Sequence, residues 1–458
     1  MARTIPDEIV ACLEELATAL ADWCVEGRDH PLAEHEAAVL ARVRAALPRL
    51  LGAVVAVATS GLHPRLGRAR AACPGCGRKA KPHQARARQV TTRCGTLALP
   101  RPWYHCGGCG HGWSVVSTTL GVADRARLSA GLRAWLVRLG TATDFREAAG
   151  LLAELTGLEV GAETLRRQTE QAGAALRAAE DGAATRVEHT RAAAAPVDPA
   201  PGLLLVEADG TMVRYLDGWH EVKVGLVAGW EGGTVVAPSY VAAREPAERF
   251  GGRLLAEAAR RGALEIDHWA GEVTGRGLAV LREAAMLGDG AAWIWNLADE
   301  HLDRRIEVVD LWHAAQHLSA VASALFGEGE RAAAWARARR GALLAQGAEA
   351  VLAALRRVQA PTPEAAEVLR VERGYFTKNA DRMQYPQYRL DGLPIGSGAI
   401  ESAADHLVQQ RMKRAGMRWS DAGGDALLAL RARLRSGRPL TLPEARRVDR
   451  IPRRARAA

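Results

Sequence analysis

The sequence is poor in several features that would assign it to a familiar class. Its 458 residues include four Phe and six Tyr against twelve Trp, so tryptophan must supply much of the aromatic packing. No apolar run is long enough to cross a membrane, and the N-terminal stretch MARTIPDEIV lacks the apolar segment of a signal peptide. No glycine-rich loop with a phosphate-binding lysine occurs, so no nucleotide cofactor is expected. The lack of a membrane-spanning run and of a signal peptide predicts a cytoplasmic protein.

The charge balance favours a polyanionic partner such as DNA, although weakly. Lys and Arg number 61 against 52 Asp and Glu, which gives a formal net charge of +9. A GC-rich genome would also raise the arginine content. The excess of basic residues is concentrated after Arg411, and the end of the chain, 438–458, is a basic tail. That tail is either a phosphate-binding segment or a solvated disordered one.

The spacing of four of the seven cysteines predicts a metal site. Cys73-Pro-Gly-Cys76 and Cys106-Gly-Gly-Cys109 are two CxxC pairs in glycine-containing turns, with short strands between them. Four thiolates in this pattern form a closed tetrahedral site for structural Zn²⁺, so 61–125 is predicted to be a zinc ribbon. Two separate redox motifs are the alternative, but the thioredoxin-like βαβ context is missing. His105 and His111 flank the second pair and could substitute as ligands, while Cys12 and Cys24 are expected to be small core residues.

Helical patterns surround the ribbon. Apolar spacing predicts two helices in an N-terminal region, 1–60. The region 126–185 contains a helix, a short Gly-containing turn and a second helix that should begin near Ala162 and expose Arg166 and Arg167. This order fits a DNA-binding helix-turn-helix, and a plain helical hairpin fits it equally well. A Pro- and Ala-rich linker, 186–202, follows.

The pattern after the linker predicts an α/β domain over 203–437. Three apolar strands come first, with an Asp217-Gly218 hairpin turn between the first two, and further strands then alternate with helices. Antiparallel strands followed by βα units favour a mixed sheet flanked by helices. An Ala-, Arg- and Leu-rich segment, about 319–388, is expected to be a helical insertion.

Three acids lie at the ends of these predicted elements. Asp209 ends an apolar strand, Asp289 ends another just before Gly290, and Glu401 begins a helix, while Glu207 shares a strand face with Asp209. Carboxylates that are distant in sequence can converge to bind two Mg²⁺ ions, which prefer hard oxygen ligands. However, Asp-Gly is also a common turn dipeptide, and spacing alone would favour that simpler explanation.

Longer motifs favour the metal site. VEADGTMV, LGDGAAWIWNLADEH, VVDLWHAAQHL, YFTKNADRMQYPQYRLDGLPIGSGAIESA and QRMKRAGMRWS together resemble bacterial insertion-sequence transposases of the ISKra type, which are relatives of the Mutator-like DDE transposases. The resemblance implies an RNase H-like catalytic core with a helical insertion before the last acid. It also implies that Asp209, Asp289 and Glu401 are the catalytic acids, and that they bind two Mg²⁺ or Mn²⁺ ions.

The same resemblance assigns further roles. Asp310 and His313 match an Asp/Cys-x-x-His motif that supports the site, and His313 and His317 form either a hydrogen-bonded pair or a metal pair. Trp419 could stack on a flipped base or belong to the core. Basic residues expected to contact phosphate are Lys378, Arg382, Arg411, Lys413, Arg414 and Arg418.

The resemblance thus predicts a nucleoid-associated DNA transposase. It would bind terminal inverted repeats, cleave DNA and transfer strands as a homo-oligomer in the synaptic complex, with transposon ends and target DNA as partners. A non-catalytic, domesticated DNA-binding protein and a structure-specific RNase H-like nuclease are the alternatives.

Overall fold

The computed structural model of the chain describes residues 5–59, 70–123, 126–190, 198–267, 278–281, 283–302 and 304–440. The chain divides into two compact units, and the boundary falls between Thr169 and Glu170, inside a helix. Three predicted segments lie wholly or partly outside the described residues: the start of the ribbon at 61–69, the linker at 191–197 and the basic tail after 440.

The first unit begins with the two predicted helices, α1 (Asp7–Glu26) and α2 (Leu32–Thr59). Their pairing confirms the helical prediction but not the core prediction, because no residue of α1 is buried and Cys24 is exposed. A hairpin of two helices buries only the stripe along which they touch, so apolar spacing alone does not create a core.

The ribbon follows as short strands and one helix. Strand β3 pairs with β4 in a long antiparallel hairpin, and β5 extends the same sheet. The elements are β1 (Ala71–Ala72), β2 (Lys79–Ala80), β3 (Pro82–Thr92), β4 (Gly95–His105), β5 (Gly112–Trp113) and α3 (Val115–Thr119).

Three helices complete this part of the chain: α4 (Ala130–Ala142), α5 (Phe145–Thr156) and α6 (Ala162–Thr190). Asp144 caps α5 by accepting hydrogen bonds from two backbone N–H groups, and Gly157 ends it in a left-handed conformation with φ 72°. Leu132, Leu152 and Leu165 lie in the shared core of the three helices. As predicted, the helix after the turn begins at Ala162.

The second unit is built on a mixed five-stranded sheet. Its strands are β6 (Leu203–Tyr215), β7 (Gly218–Glu231), β8 (Thr234–Ala243), β11 (Ala284–Gly288) and β12 (Arg305–Val309), while β9 (Leu264–Asp267) and β10 (Leu278–Leu281) form a separate pair. The strand order is β12-β11-β6-β7-β8. The first three strands along the chain are antiparallel, and β11 runs parallel to both β6 and β12. This arrangement confirms the predicted mixed sheet. The hairpin turn lies at Leu216-Asp217, one residue earlier than predicted, because Gly218 already pairs with Tyr215.

Helices pack on this sheet and continue beyond it. Helix α7 (Ala247–Arg260) packs on β7 and β8, and the final helix, α16 (Asp421–Arg435), also packs on β8. The helix α16 after Trp419 extends the fold beyond the last helix predicted from the sequence. The helices of this unit after α6 are α7 (Ala247–Arg260), α8 (Ala292–His301), α9 (Leu311–Phe326), α10 (Glu330–Gln346), α11 (Ala348–Arg357), α12 (Pro363–Lys378), α13 (Tyr385–Leu390), α14 (Gly398–Ala404), α15 (Gln410–Met412) and α16 (Asp421–Arg435).

The helices of this unit include the predicted insertion and one irregular turn. Helices α9 to α13 occupy the segment predicted to be a helical insertion, and a π-helical turn at Asp405–Gln409 joins α14 to α15. In the described part of the chain, no helix combines the length and apolarity needed to span a bilayer.

Candidate functional site

The four predicted cysteines come together in one cluster. The Sγ atoms of Cys73 and Cys109 are 3.6 Å apart and those of Cys76 and Cys106 are 3.5 Å apart, and all four lie within 4.8 Å of one another. Tetrahedral zinc with Zn–S bonds of about 2.3 Å requires sulfurs separated by about 3.8 Å. The cluster can therefore hold a structural metal such as zinc, and it does so with cysteines alone.

The two CxxC turns have the same backbone geometry, which explains the convergence. In each turn the first cysteine donates its N–H to a carbonyl five residues later, at 2.9 Å in both cases, and a glycine with positive φ closes the turn. The N–H groups of Gly108 and Cys109 hydrogen-bond to the Cys106 thiol and lower its pKa to about 6. A thiolate is the form that binds metal. The second turn therefore favours a thiolate at Cys106, while hydrogen bonds from the other cluster thiols and burial raise the pKa of Cys109.

The ribbon core positions the two buried cysteines. Cys73 and Cys106 are buried together with Tyr104 and Trp113, whose rings stack with centroids 5.3 Å apart. His105 and His111 are exposed, and the ring of His111 stacks on Trp113 with centroids 6.0 Å apart. Among the described residues, the group whose ligand atoms lie close enough to hold an ion consists of the four cysteines, so neither histidine replaces a cysteine in it.

The register of the mixed sheet brings the first two predicted acids together. Leu287 of β11 pairs with Glu207 of β6 in parallel register. Two residues further along, Asp289 follows the end of β11, whereas Asp209 lies inside β6, which continues to Tyr215 instead of ending at this acid as predicted. Both acids therefore lie where the parallel pairing of β11 with β6 stops. Asp310 lies at the same place, because its N–H donates to the carbonyl of Gly288 at 2.9 Å. The carboxyl ends of adjacent parallel strands are where open α/β sheets usually build their sites.

The electrostatics of Asp209 couple all three acids. Burial raises the pKa of Asp209 first, and the negative charges of Asp289 and Glu401 raise it further, against the opposing hydrogen bond from the Gly210 N–H. That N–H lies 2.7 Å from Oδ1. Negative charges raise the pKa of a neighbouring carboxyl group, and a cation beside Asp209 would oppose this effect.

The backbone around Asp289 is held by hydrogen bonds on both sides. Its Oδ1 accepts from the N–H of Ala291 at 2.7 Å, and its carbonyl accepts from the Tyr375 hydroxyl at 3.0 Å. Gly290 follows with φ 101°, and a Cβ there would lie 2.8 Å from the Tyr375 ring. Only glycine permits both the turn and the close approach of this tyrosine.

Glu401 lies in a short helix that two other carboxylates hold in place. Glu207 Oε2 accepts from the N–H of Ile400 at 2.8 Å, and Asp310 Oδ2 accepts from the N–H of Ser397 at 2.5 Å. The Ser397 hydroxyl in turn lies 3.3 Å from Glu401 Oε1. The Ile400 N–H also donates to the Ser397 carbonyl at 3.0 Å, so the Glu207 carboxylate is its second acceptor. Together the two carboxylates tie the N-terminal end of α14 to β6 and to the start of α9.

Glu207 is a structural acid in this arrangement. It is fully buried, and burial raises its pKa to about 8, with smaller contributions from the charges of Asp310 and Glu401. Its Oε1 has no hydrogen-bond partner in the described chain. Glu207 is thus buried and hydrogen-bonded to the helix that carries Glu401.

Asp310 and His313 form the local motif predicted from the sequence. Asp310 Oδ1 caps α9 by accepting from the N–H of His313. His313 Nε2 lies 3.2 Å from His317 Nε2, and His317 Nδ1 lies 2.6 Å from Glu372 of α12. The ring of Tyr375 stacks on His317 at 3.6 Å between centroids. The two histidines are thus a hydrogen-bonded pair that the inserted helices hold in place.

The acids do not form a second compact ligand cluster. Across the described residues, the four cysteines are the one group of three or more His, Cys, Asp or Glu side chains whose ligand atoms lie close enough to hold an ion. The charges of Asp289 and Glu401 therefore act on Asp209, but the carboxylate oxygens of the three acids lie further apart than the cysteine sulfurs do. Three like charges repel, and carboxylates draw close together when a cation or a shared proton offsets their charge.

The residues predicted to contact phosphate fall into two sets. Lys378, Arg414, Arg418 and Arg167 are exposed, as is Lys413, whose Nζ donates to the Thr211 hydroxyl at 2.6 Å, two residues from Asp209. Arg166 is half-buried and pairs with Glu163 at 2.7 Å. The second set, Arg382 and Arg411, faces inward.

The two inward-facing arginines have structural roles. Arg382 is ion-paired with Glu307, and its guanidinium lies 4.7 Å from the centroid of the Trp295 ring. Arg411 is 1% exposed and lies against the buried Trp419, whose Nε1 donates to the Met412 carbonyl. For Arg411 the expectation of phosphate contact is wrong in this conformation, because burial removes the side chain from solvent. Trp419 is buried as well, which agrees with the core alternative that the sequence left open.

A comparison with family models places the chain among its relatives. Residues 76–447, well over half of the chain, match the model of the uncharacterised protein family UPF0236. The chain belongs to this family. No curated protein matches it.

The UPF0236 match begins at the second cysteine of the ribbon and runs past α16, so it includes three cluster cysteines and every acid described above. Sequence reasoning assigned no role to Glu372, Tyr375 and Trp312 in this span. Two of them could have been noticed, because Trp312 lies in VVDLWHAAQHL and Tyr375 begins YFTKNADRM, both of which are motifs that carry the family resemblance. Glu372 gave no signal before the fold brought it to His317.

Proposed function

We propose that this UPF0236 member is a DNA transposase, with Asp209, Asp289 and Glu401 as its catalytic acids on an RNase H-like core. One observation carries the proposal: three acids from distant parts of the sequence come together where the pairing of β6 with β11 stops. The charges of Asp289 and Glu401 act there on Asp209. The order of elements also agrees with the transposase resemblance. Antiparallel strands come first, parallel strands that alternate with helices follow, and a helical segment precedes the last acid.

The donor set fits hard divalent cations. Asp209, Asp289 and Glu401 would hold Mg²⁺ or Mn²⁺, which supplies charge neutralisation and an activated oxygen nucleophile when bound. The chain itself supplies positioning: Tyr375 fixes the backbone of Asp289, and Ser397 contacts Glu401. Holding reacting groups in place accounts for much of the catalysis of phosphodiester chemistry.

The surroundings of the acids fit a polyanionic substrate. Lys413 is exposed and is held by Thr211, two residues from Asp209, so its ammonium can neutralise a phosphate beside the acids. Lys378, Arg414 and Arg418 are further exposed cations of the same unit. In this proposal the cysteine cluster is architectural, because four thiolates leave no open position on a metal.

DNA cleavage tests the proposal. The purified chain is incubated with Mn²⁺ or Mg²⁺ and a plasmid that carries the DNA flanking its gene, and cut ends are mapped by sequencing. We expect metal-dependent cuts at paired inverted repeats, with a loss of at least about 100-fold in Asp209→Asn, Asp289→Asn and Glu401→Gln. Asp391→Asn, which alters an exposed acid outside the site, is the matched control and should cut normally.

The other outcomes identify the alternatives. Tight binding to the ends without any cleavage would favour a non-catalytic DNA-binding protein. Cleavage of branched DNA or RNA–DNA hybrids without dependence on the repeats would favour a structure-specific nuclease. Cleavage that persists in one of the three variants would mean that the wrong acid was assigned.

A further inference from the structure

An exposed tryptophan lies beside the proposed catalytic edge. Trp312 is the second residue of α9, two positions after Asp310, and it remains 54% exposed. A Cβ at Gly396 would lie 3.5 Å from its Cδ1 and Nε1 atoms and 3.8 Å from Asp310 Oδ2. Gly396 immediately precedes Ser397, which contacts Glu401. The indole ring is therefore close to the segment that carries the third acid.

An arginine of the helical insertion accompanies this ring. The guanidinium carbon of Arg340 in α10 lies 5.0 Å from the centroid of Trp312. Two further pairs of the same kind follow along α9 and α10: Arg331 lies 4.6 Å from the Phe326 ring and Arg339 lies 5.7 Å from the Trp335 ring. Arginines interleaved with aromatic rings combine phosphate attraction with flat stacking surfaces, and proteins that bind single-stranded nucleic acid use this combination.

We propose that Trp312 and Arg340 form a stacking platform for an unpaired nucleotide of the DNA substrate, beside the Gly396-Ser397 segment that leads to Glu401. That the nucleotide belongs to a DNA substrate rests on the proposed function. The pairing of Trp312 with Arg340 does not depend on it. Trp312 offers a π surface to a base, and Arg340 offers a cation to the neighbouring phosphate. Trp419 cannot serve this purpose, because it is 7% exposed and bonded to Met412.

Fluorescence anisotropy without added divalent cation separates binding from cleavage. The probes are a fluorescein-labelled 20-nucleotide single strand and the matching duplex. We expect Trp312→Ala to weaken single-strand binding about 5- to 100-fold and duplex binding less than about 3-fold, since stacking requires an unpaired base. Trp312→Phe should recover most of the affinity, and Arg340→Gln should weaken binding by a smaller factor.

Trp219 supplies the matched control. It is 59% exposed on β7, opposite Arg214 at the hairpin end of the sheet. Trp219→Ala should change single-strand binding by less than about 2-fold. The inference is overturned if Trp312→Ala binds the single strand as the parent does, if both probes weaken equally, or if Trp219→Ala loses as much. A parent chain that binds the single strand but never cleaves DNA would refute the proposed function and leave the platform standing.

Discussion

The two candidate metal sites of this protein are built in opposite ways. The cysteine cluster comes from two tight turns in one ribbon, each with its own internal hydrogen bonds, and its four sulfurs already lie within 4.8 Å of one another. The acid site comes from two strands and a helix that lie almost 200 residues apart in the chain, and its side chains stay further apart. The first site is fixed by local backbone geometry, whereas the second depends on the whole sheet. A defect in one site should therefore have a different effect from a defect in the other.

The largest expected effect follows from losing one ribbon ligand. Cys106→Ser should abolish stoichiometric zinc binding and unfold the ribbon, because structural zinc contributes an apparent free energy of about 10–16 kcal/mol in small domains. Zinc per chain is measured by elemental analysis, and ribbon folding by limited proteolysis. Chelation of the parent protein should reproduce the variant, and low pH should favour release because protons compete for the thiolates.

Cys94→Ser is the control for this substitution. Cys94 is half-buried in the turn between β3 and β4 and lies outside the cluster. Its loss should leave zinc binding intact. A Cys106→Ser protein that keeps one zinc per chain, or a ribbon that resists protease without zinc, would contradict the structural role.

The same contrast explains what the sequence could predict. The spacing of Cys73, Cys76, Cys106 and Cys109 determined the ligand set because CxxC turns are local, and the helix start at Ala162 followed from local propensities in the same way. The acids were assigned through a resemblance, since Asp-Gly at the end of a strand is also an ordinary turn. The partners Glu372 and Tyr375 were missed, because only the packing of α12 against α9 brings them to His317.

Errors in the prediction have one physical cause. Cys24 was expected in a core and is exposed, whereas Arg411 was expected on the surface and is buried. Periodicity and charge describe one segment at a time, while burial depends on what packs against it. Trp419 is not among these errors. A core position is one of the two alternatives that the sequence offers for it, and the structure buries it.

An intermediate effect is expected at Glu207, where the acid site depends on the sheet. Glu207→Ala should lower the free energy of unfolding by about 0.5–1.5 kcal/mol, because the N–H of Ile400 loses its bond to the carboxylate and keeps only the Ser397 carbonyl at 3.0 Å. Glu207→Gln should cost less, since its amide oxygen can accept the same bond and burial already favours the neutral acid. Denaturant titration gives the values, and Glu231→Ala at the exposed end of β7 is the control.

The two Glu207 variants also distinguish support from ligation. If Glu207 only supports α14, Glu207→Gln should keep the Mn²⁺ affinity of the parent protein, whereas Asp209→Asn should lose it. An equal loss of Mn²⁺ affinity in Glu207→Gln would make Glu207 a ligand. It would also show that the acid site is assembled from more than the three acids assigned here.

The smallest expected effect concerns the helix that begins at Ala162. Arg167 is exposed, while Arg166 is held by Glu163, so Arg167 is the better placed of the two to reach a phosphate. Arg167→Gln should reduce the slope of log affinity against log salt for duplex DNA by about 1, and Arg166→Gln by less, as measured by anisotropy at several salt concentrations. The ion pair between Arg166 and Glu163 must break before Arg166 can contact a phosphate, and this cost offsets part of the free energy gained from that contact. Unchanged slopes in both variants would make α5 and α6 a plain helical hairpin, and DNA recognition would then have to be sought elsewhere in the chain.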